Sequence, residues 1–258
     1  MTMLVLLSPS KTQETGHEHP APSMPQLLGK TEKLVEKLRR LDSEEIGRLM
    51  AISEKLAQTT SCRYRRFRFP PRIEDCSPAL LAFRGDVFSE INVDTYSNRD
   101  FDFAQRHLRI LSGLYGILRP LDLIQPYRLE MAGKFRTAEG CNLYQYWRDD
   151  VTAALTTVLA EENHSELLNL ASAEYCKVID RSLIPAPLVD VFFQQRKNDT
   201  LRTVAIHAKK ARGALCNHII SNRLEDSSDL GDFHYQGYFF EEQLSSDTEL
   251  FYIKDEPG

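Results

Sequence analysis

In three places of this 258-residue sequence a short apolar run gives way at once to hydroxyl and charged side chains. Met3-Leu4-Val5-Leu6-Leu7 leads into Ser8-Pro9-Ser10-Lys11-Thr12, and Leu167-Leu168-Asn169-Leu170-Ala171 into Ser172-Ala173-Glu174-Tyr175. Leu201 to His207 leads into Lys209, Lys210 and Arg212. In open α/β sheets ligands bind in the crevice beyond the carboxyl ends of the strands, so these groups are candidates for holding an anion. The third stretch is the sharpest. If a strand passes into a helix across His207–Gly213, free N–H groups, the helix dipole and three cations converge there. The competing reading is a solvated helix start whose cations confer solubility. Ser8, Lys11 and Thr12 resemble a shortened phosphate loop without the glycines of G-x-x-x-x-G-K-[ST], and a polar turn is the alternative. Catalytic residues are unknown from sequence; Glu130, Glu174 and Lys11 are the candidates for acid or base work.

Residues 106–120, RHLRILSGLYGILRP, join two apolar runs through Gly113-Leu114-Tyr115-Gly116, with Arg106, Arg109 and Arg119 around them. Two glycines inside one helix would cost about 1 kcal/mol each against alanine. A helix-hairpin-helix accommodates them, because a glycine turn offers backbone N–H groups to a phosphate at close approach. A tight corner with Gly113 as a helix C-cap is the plainer alternative. Arg63-Tyr64-Arg65-Arg66-Phe67-Arg68-Phe69 has the composition of a segment that grips a backbone and stacks bases, or of an amphipathic stretch with its aromatics in the core. His17-Glu18-His19 lacks a partner in register, so no metal site is expected.

Composition narrows the field. An apolar share of 42% supports a sizeable core, and no run of 18 apolar residues spans a membrane. The start lacks a basic region and cleavage site, so no signal peptide is expected. Five widely spaced cysteines without a CxxC pair predict a reducing cytoplasm, with neither zinc nor disulfides. The net charge of −5 is unevenly placed: Glu225 to Gly258 holds ten acids against one lysine, which leaves residues 1–224 net positive. That asymmetry leaves room for an anion-binding face beside an acidic C-terminal segment.

The elements that would position these groups alternate. Residues 3–7 predict a short buried strand, and 13–25, with three prolines, an irregular loop. Asp42-Ser43-Glu44-Glu45 predicts a capping box, Ser77-Pro78 a helix start, and Ser97-Asn98-Arg99-Asp100 a cap opening a helix through Phe101, Ala104, Leu108 and Leu111. Arg106 and Arg109 would share another face of that helix. Residues 142–161 predict a helix around Trp147, 189–193 and 201–207 a hairpin, 211–224 a helix, and 235–241 with 249–254 a last strand pair. The class is mixed α/β or α+β, a single domain over 1–258 with a helical segment of about 24–160 inserted after the first strand.

Leu111-Ser112-Gly113-Leu114-Tyr115-Gly116-Ile117-Leu118-Arg119-Pro120-Leu121-Asp122, continuing through Gln125-Pro126-Tyr127-Arg128-Leu129-Glu130-Met131, resembles the signature of the YaaA family of peroxide-stress-resistance proteins. Leu7-Ser8-Pro9-Ser10-Lys11-Thr12 is similar to that family's Ser-Pro-Ala-Lys-Thr start, with Ser10 in place of alanine. Asn169–Tyr175, Lys209–Gly213 and Gly237-Tyr238-Phe239-Phe240 follow in the family's order. The resemblance implies a cytoplasmic bacterial protein that limits free intracellular iron under hydrogen peroxide. It also implies a family-specific fold with a helix-hairpin-helix and a basic cleft for double-stranded DNA. Gly113, Tyr115, Gly116, Arg106, Arg109, Arg119 and Arg128 would then contact phosphates, together with Lys209, Lys210, Arg212, Ser8, Lys11 and Thr12. No cofactor and no membrane partner are expected, and the protein is expected to be a monomer. An enzyme acting on a nucleotide or DNA base, with Lys11, Arg128, Glu130, Glu174 and Lys209 in one pocket, is the alternative.

Overall fold

A computed structural model describes residues 2–133, 135–137 and 140–255. The chain opens with β1 (Thr2–Leu7) and the two-residue β2 (Thr12–Gln13), then passes through helices α1 (Leu28–Arg39), α2 (Ser43–Met50) and α3 (Glu54–Arg66). Short pieces follow: β3 (Ser77–Pro78), α4 (Ala79–Ala82) and β4 (Phe83–Arg84). After α5 (Asn98–His107) come β5 (Leu108–Ser112), β6 (Gly116–Leu118) and β7 (Leu123–Ile124), then α6 (Leu143–Glu161) and β8 (His164–Asn169). The chain continues with α7 (Ala173–Cys176), β9 (Leu188–Lys197), β10 (Thr200–Arg202), α8 (Ala205–Asn222), β11 (His234–Tyr235), β12 (Tyr238–Phe240) and β13 (Glu249–Asp255).

One mainly parallel sheet runs in the order β11-β12-β13-β9-β8-β1-β5-β6, with β10 paired to β9, while β2 pairs with β4 and β3 with β7 outside it. β1 is central because it is apolar without alternation: Met3 to Leu7 are all buried, as a strand covered on both faces requires. It pairs in parallel with β5 (Val5↔Leu108) and with β8 (Leu4↔Leu167). Helices α5 and α8 touch each other, α5 packs on β1 and β5, α8 on β9, and α6 on β6 and β8. The segment between β1 and β8 is therefore not wholly helical, since it supplies β5 and β6 to the sheet.

Local signals account for several boundaries. Asp42 caps α2 through the Glu45 N–H at 2.8 Å, while Glu45 accepts from the Asp42 N–H at 2.9 Å. Ser97 and Asp100 form a second capping box at α5, and Asn142 caps α6 through the Gln145 N–H. Ser77-Pro78 opens no helix itself; it pairs with β7, and α4 begins at Ala79.

The helix-hairpin-helix expected at residues 106–120 is absent. α5 stops at His107, and β5 and β6 form an antiparallel pair with Ile110↔Leu118 and Ser112↔Gly116. Every residue of β5 is buried, so its apolar run carries no alternation to distinguish strand from helix. The turn is a core feature. Ser112 Oγ accepts from the N–H groups of Leu114 and Tyr115, and Trp147 Nε1 donates to Gly113 O at 2.9 Å. A Cβ on Gly113 would lie 2.3 Å from the Leu129 carbonyl oxygen. Gly116 has φ of +72°, and a Cβ there would meet the Trp147 ring at 2.7 Å. The glycines serve chain packing, which answers why two of them sit between apolar runs.

Candidate functional site

The order of the strands reverses at β1: the chain places β5 on one side of it and β8 on the other. Such a switch point opens a crevice beyond the carboxyl ends of the flanking strands. The loops after β1 and β8 meet there, with the Ser172 N–H donating to Ser8 Oγ at 2.8 Å and the two hydroxyl oxygens 3.3 Å apart. A cavity of about 550 Å³ lies over this junction, lined by Ser8, Ser10, Lys11, Thr12, Ser172, Glu174, Lys209 and Arg212. Its apolar wall comes from Val87, Phe88, Leu170 and Tyr175.

α8 supplies one side by phase. Ala205, Ala208, Lys209 and Arg212 line the cavity, the i, i+3, i+4, i+7 stripe of a helix. Lys210 points off that stripe to Glu90, at 3.6 Å. Because α8 begins at Ala205, its free N–H groups precede Lys209. The expected convergence of helix start and cations across 207–213 is therefore corrected: the cations act as side chains of a helix face. Lys209 Nζ lies 3.9 Å from Asp86. Arg212 is half-buried, and burial pulls its guanidinium pKa down, with Asp190 partly opposing this. Its Nε is buried and has no hydrogen-bond partner among the described residues.

The candidate acids occupy the other side. Glu174 Oε1 accepts from the Ala132 N–H at 3.1 Å. Glu130 is held between Lys11 Nζ at 2.8 Å and Arg128 Nη2 at 3.2 Å. Arg128 and Glu130 line an adjoining hollow of about 350 Å³ with Arg48, Ala51 and Gly133. Lys11, Glu174 and Lys209 thus share one cavity, while Arg128 and Glu130 stand next door, joined to it by the Lys11–Glu130 ion pair. Arg128 Nε is likewise buried without a hydrogen-bond partner among the described residues.

Several expected phosphate contacts lie elsewhere. Gly113, Tyr115 and Gly116 are buried, and the Tyr115 hydroxyl accepts from the Gln125 N–H. Arg109 is buried; its guanidinium donates to the carbonyls of Gln105 and Leu108 at the end of α5, and burial pulls its pKa down to about 10. Arg119 bonds Asp122 and the Met24 carbonyl. Arg106 is exposed but precedes β5, and its carbonyl faces His164 at the start of β8, so it marks the opposite end of the sheet. Around residues 63–69, Tyr64 and Phe67 are core, and the arginines of α3 stand on the outer side. Among the described residues no group of three or more potential metal ligands occurs.

Sequence reasoning missed the loop that closes the cavity, Gly85-Asp86-Val87-Phe88. Gly85 has φ of +113°, and a Cβ there would press on Ser10 Oγ at 2.9 Å. Gly-Asp after an apolar-basic pair was the available signal. Asp190, an acid inside the apolar β9, was the other: it accepts from Asn169 Nδ2 at 2.6 Å and pairs with Arg181 at 2.8 Å, beside Arg212.

The family model described as Peroxide stress protein YaaA matches residues 3–244. The chain belongs to the YaaA family. A curated relative, the UPF0246 protein AM1_4276 of Acaryochloris marina (strain MBIC 11017), is 44% identical over 257 residues, covering 98% of this chain and all of the relative. The YaaA signature segment 111–131 therefore maps onto the β5–β6 hairpin and the run that carries Arg128 and Glu130 to the cleft. Among the described residues no helix is long and apolar enough to cross a membrane.

Proposed function

We propose that this YaaA-family chain serves the response to hydrogen peroxide in the cytoplasm by binding double-stranded DNA along the strand-end cleft, as a monomer. The observation that carries this reading is the set of guanidinium and ammonium groups there: Lys11, Lys209 and Arg212 in the cavity, Arg128 and Arg48 in the adjoining hollow. Among the described residues the Nε of Arg212 and that of Arg128 have no acceptor. Phosphate oxygens suit the guanidinium groups that line the cleft, since arginine–phosphate pairs are charge-assisted and geometrically matched. Such contacts position a duplex without reading its sequence. The link to free iron rests on the family resemblance, and the cleft itself speaks for nucleic acid.

Fluorescence anisotropy of a labelled duplex across a salt series tests this. Affinity is expected to fall steeply with salt, and each arginine that contacts a phosphate lowers the log–log slope by about 0.9 when replaced. Arg128→Ala and Arg48→Ala are the variants of choice. A flat salt dependence would end the backbone-contact reading.

A second reading, an enzyme acting on a nucleotide or base, is favoured by the carboxylates of Glu174 and Glu130 at a concave cavity. Glu174→Gln should then abolish turnover of a modified duplex while leaving duplex affinity intact, because an amide cannot exchange the proton. Absence of base release and strand breaks with the wild-type protein on damaged and modified duplexes counts against it.

A further inference from the structure

We infer that the 550 Å³ strand-end cavity holds one single nucleotide unit, with Arg212 as the anchor for its phosphate. This rests on the reading of the cleft as a nucleic-acid site and adds what enters it. The volume falls within the range of about 300–1,000 Å³ typical of small-molecule sites, so a duplex would lie across the opening, against the exposed Lys11 and Lys209, and place at most a single nucleotide inside.

The lining dictates the ligand class. Arg212 lines the cavity half-buried, and its Nε has no acceptor among the described residues; Lys209 stands one turn before it on the same helix face. A partly desolvated guanidinium at the cavity wall gains most from a charge-assisted acceptor, and a phosphate oxygen is one. A bare inorganic anion suits the cavity poorly, because the carboxylates of Glu174 and Asp86 also line it. Those carboxylates, with the Ser8 and Ser172 hydroxyls, match donors: sugar hydroxyls or exocyclic amines. Val87, Phe88, Leu170 and Tyr175 provide the apolar wall that a planar base needs. Phosphate, sugar and base together satisfy all three kinds of lining.

Such a unit has two sources, a free nucleoside monophosphate or a nucleotide extruded from a duplex. Enzymes and binders that handle a base take it out of the stack into a pocket of this kind. The adjoining hollow, joined to the cavity through the Lys11–Glu130 ion pair, offers Arg48 and Arg128 to a flanking phosphate.

Isothermal titration with the ribo- and deoxyribonucleoside monophosphates, with free nucleosides and with inorganic phosphate tests the inference. Monophosphates are expected to bind at least about tenfold more tightly than either fragment, a margin of about 1.4 kcal/mol. Arg212→Met is expected to lower monophosphate affinity about tenfold, and Lys209→Gln, at an exposed position that leaves the fold intact, about threefold. No heat with any monophosphate at millimolar concentration, or unchanged affinity in both variants, overturns it. Duplex anisotropy is read separately, so loss of monophosphate binding with salt-dependent duplex binding retained removes this inference alone, and the reverse removes the duplex reading alone. Competition assigns the source. A duplex with one unpaired nucleotide displacing the monophosphate, and outbinding the perfect duplex, supports extrusion; monophosphate binding untouched by that duplex supports the free nucleotide.

Discussion

The buried histidine pair at the far end of the sheet makes stability depend on pH. His107, at the end of α5, places Nδ1 3.0 Å from the Met3 carbonyl oxygen, and its ring stacks on Phe103 at 4.0 Å. His164, which starts β8, lies edge-on to it with ring centroids 4.9 Å apart, and its Nδ1 is 3.0 Å from Thr2 Oγ1. Burial, reinforced by the nearness of His107 and Arg109 and opposed by the Arg106 carbonyl and Glu162, pulls the His164 pKa down from 6.5 to about 4. Burial also lowers His107, assisted by Arg106, with Met3 O, Glu225 and Glu162 opposing. Both rings are therefore neutral in the fold where the unfolded chain would already be charged. The unfolded state binds more protons below about pH 6.5, so stability is full above that value and falls as the pH drops towards 4.

For His164 alone, titration at 6.5 unfolded and about 4 folded removes about 2 kcal/mol between pH 8 and pH 5. Solvent relaxation around a ring at this edge of the fold, where the effective dielectric is nearer ~20 than ~4, discounts that figure to about 1 kcal/mol. Urea unfolding of wild type and His164→Gln from pH 8 to pH 4.5 measures it. The wild type is expected to lose about 1 kcal/mol more than the variant, with most of the difference appearing below pH 6.5. Parallel stability curves for the two proteins over that window would refute the reasoning.

Three further substitutions probe the core around the signature segment. Gly113→Ala drives a methyl group to 2.3 Å from the Leu129 carbonyl oxygen, so it should cost about 3 kcal/mol of unfolding free energy, read as a lower urea midpoint; an unchanged midpoint would refute the close packing of this turn. Arg109→Met should lower stability by about 1–2 kcal/mol, because the carbonyls of Gln105 and Leu108 lose their donor, while duplex affinity stays at the wild-type level. Weaker duplex binding at unchanged thermal stability would restore Arg109 as a DNA contact. Asp122→Asn should cost about 2–4 kcal/mol, since this buried carboxylate accepts from Ser23 Oγ at 2.7 Å and from the Arg119 N–H at 2.8 Å and faces its guanidinium; thermal unfolding reads the loss.

What the sequence made legible were features settled within a few residues. The β1 strand, the Asp42/Glu45 and Ser97/Asp100 boxes and the Asn142 start of α6 all depend on local chemistry. β5 was illegible because β1 and β6 pair with its edges while helices such as α5 and α7 pack on the sheet there, so all five of its residues are buried and the period of two is erased. The same burial conceals Arg109, an arginine that in sequence looks like a surface cation. At the site, Ser8, Lys11, Ser172 and Glu174 were legible because each follows an apolar run that ends where the sheet ends. The partition of Lys209 from Lys210 was not, since it depends on the phase of α8 against β9. Nor was the 85–88 loop, which reaches the cavity from a distant part of the chain.

The ion pairs in the cleft bear on how steep its salt dependence should be. Lys11 and Lys209 are more than half exposed, and their partners Glu130 and Asp86 are partly so. Pairs of that kind are worth about 0–1 kcal/mol, so a phosphate group exchanges for the carboxylate at little cost. After the exchange Glu130 retains Arg128 at 3.2 Å, and Asp86 faces solvent. A lysine already neutralised by a carboxylate contributes less to counterion release than a free one, because its charge was compensated before the nucleic acid arrived. Arg212 differs: its Nε has no hydrogen-bond acceptor among the described residues, and its charge is partly desolvated. The salt slope of duplex binding is therefore expected to be shallower than the number of cations in the cleft. The affinity for a single nucleotide that survives at high salt is expected to rest on Arg212 rather than on the more exposed lysines.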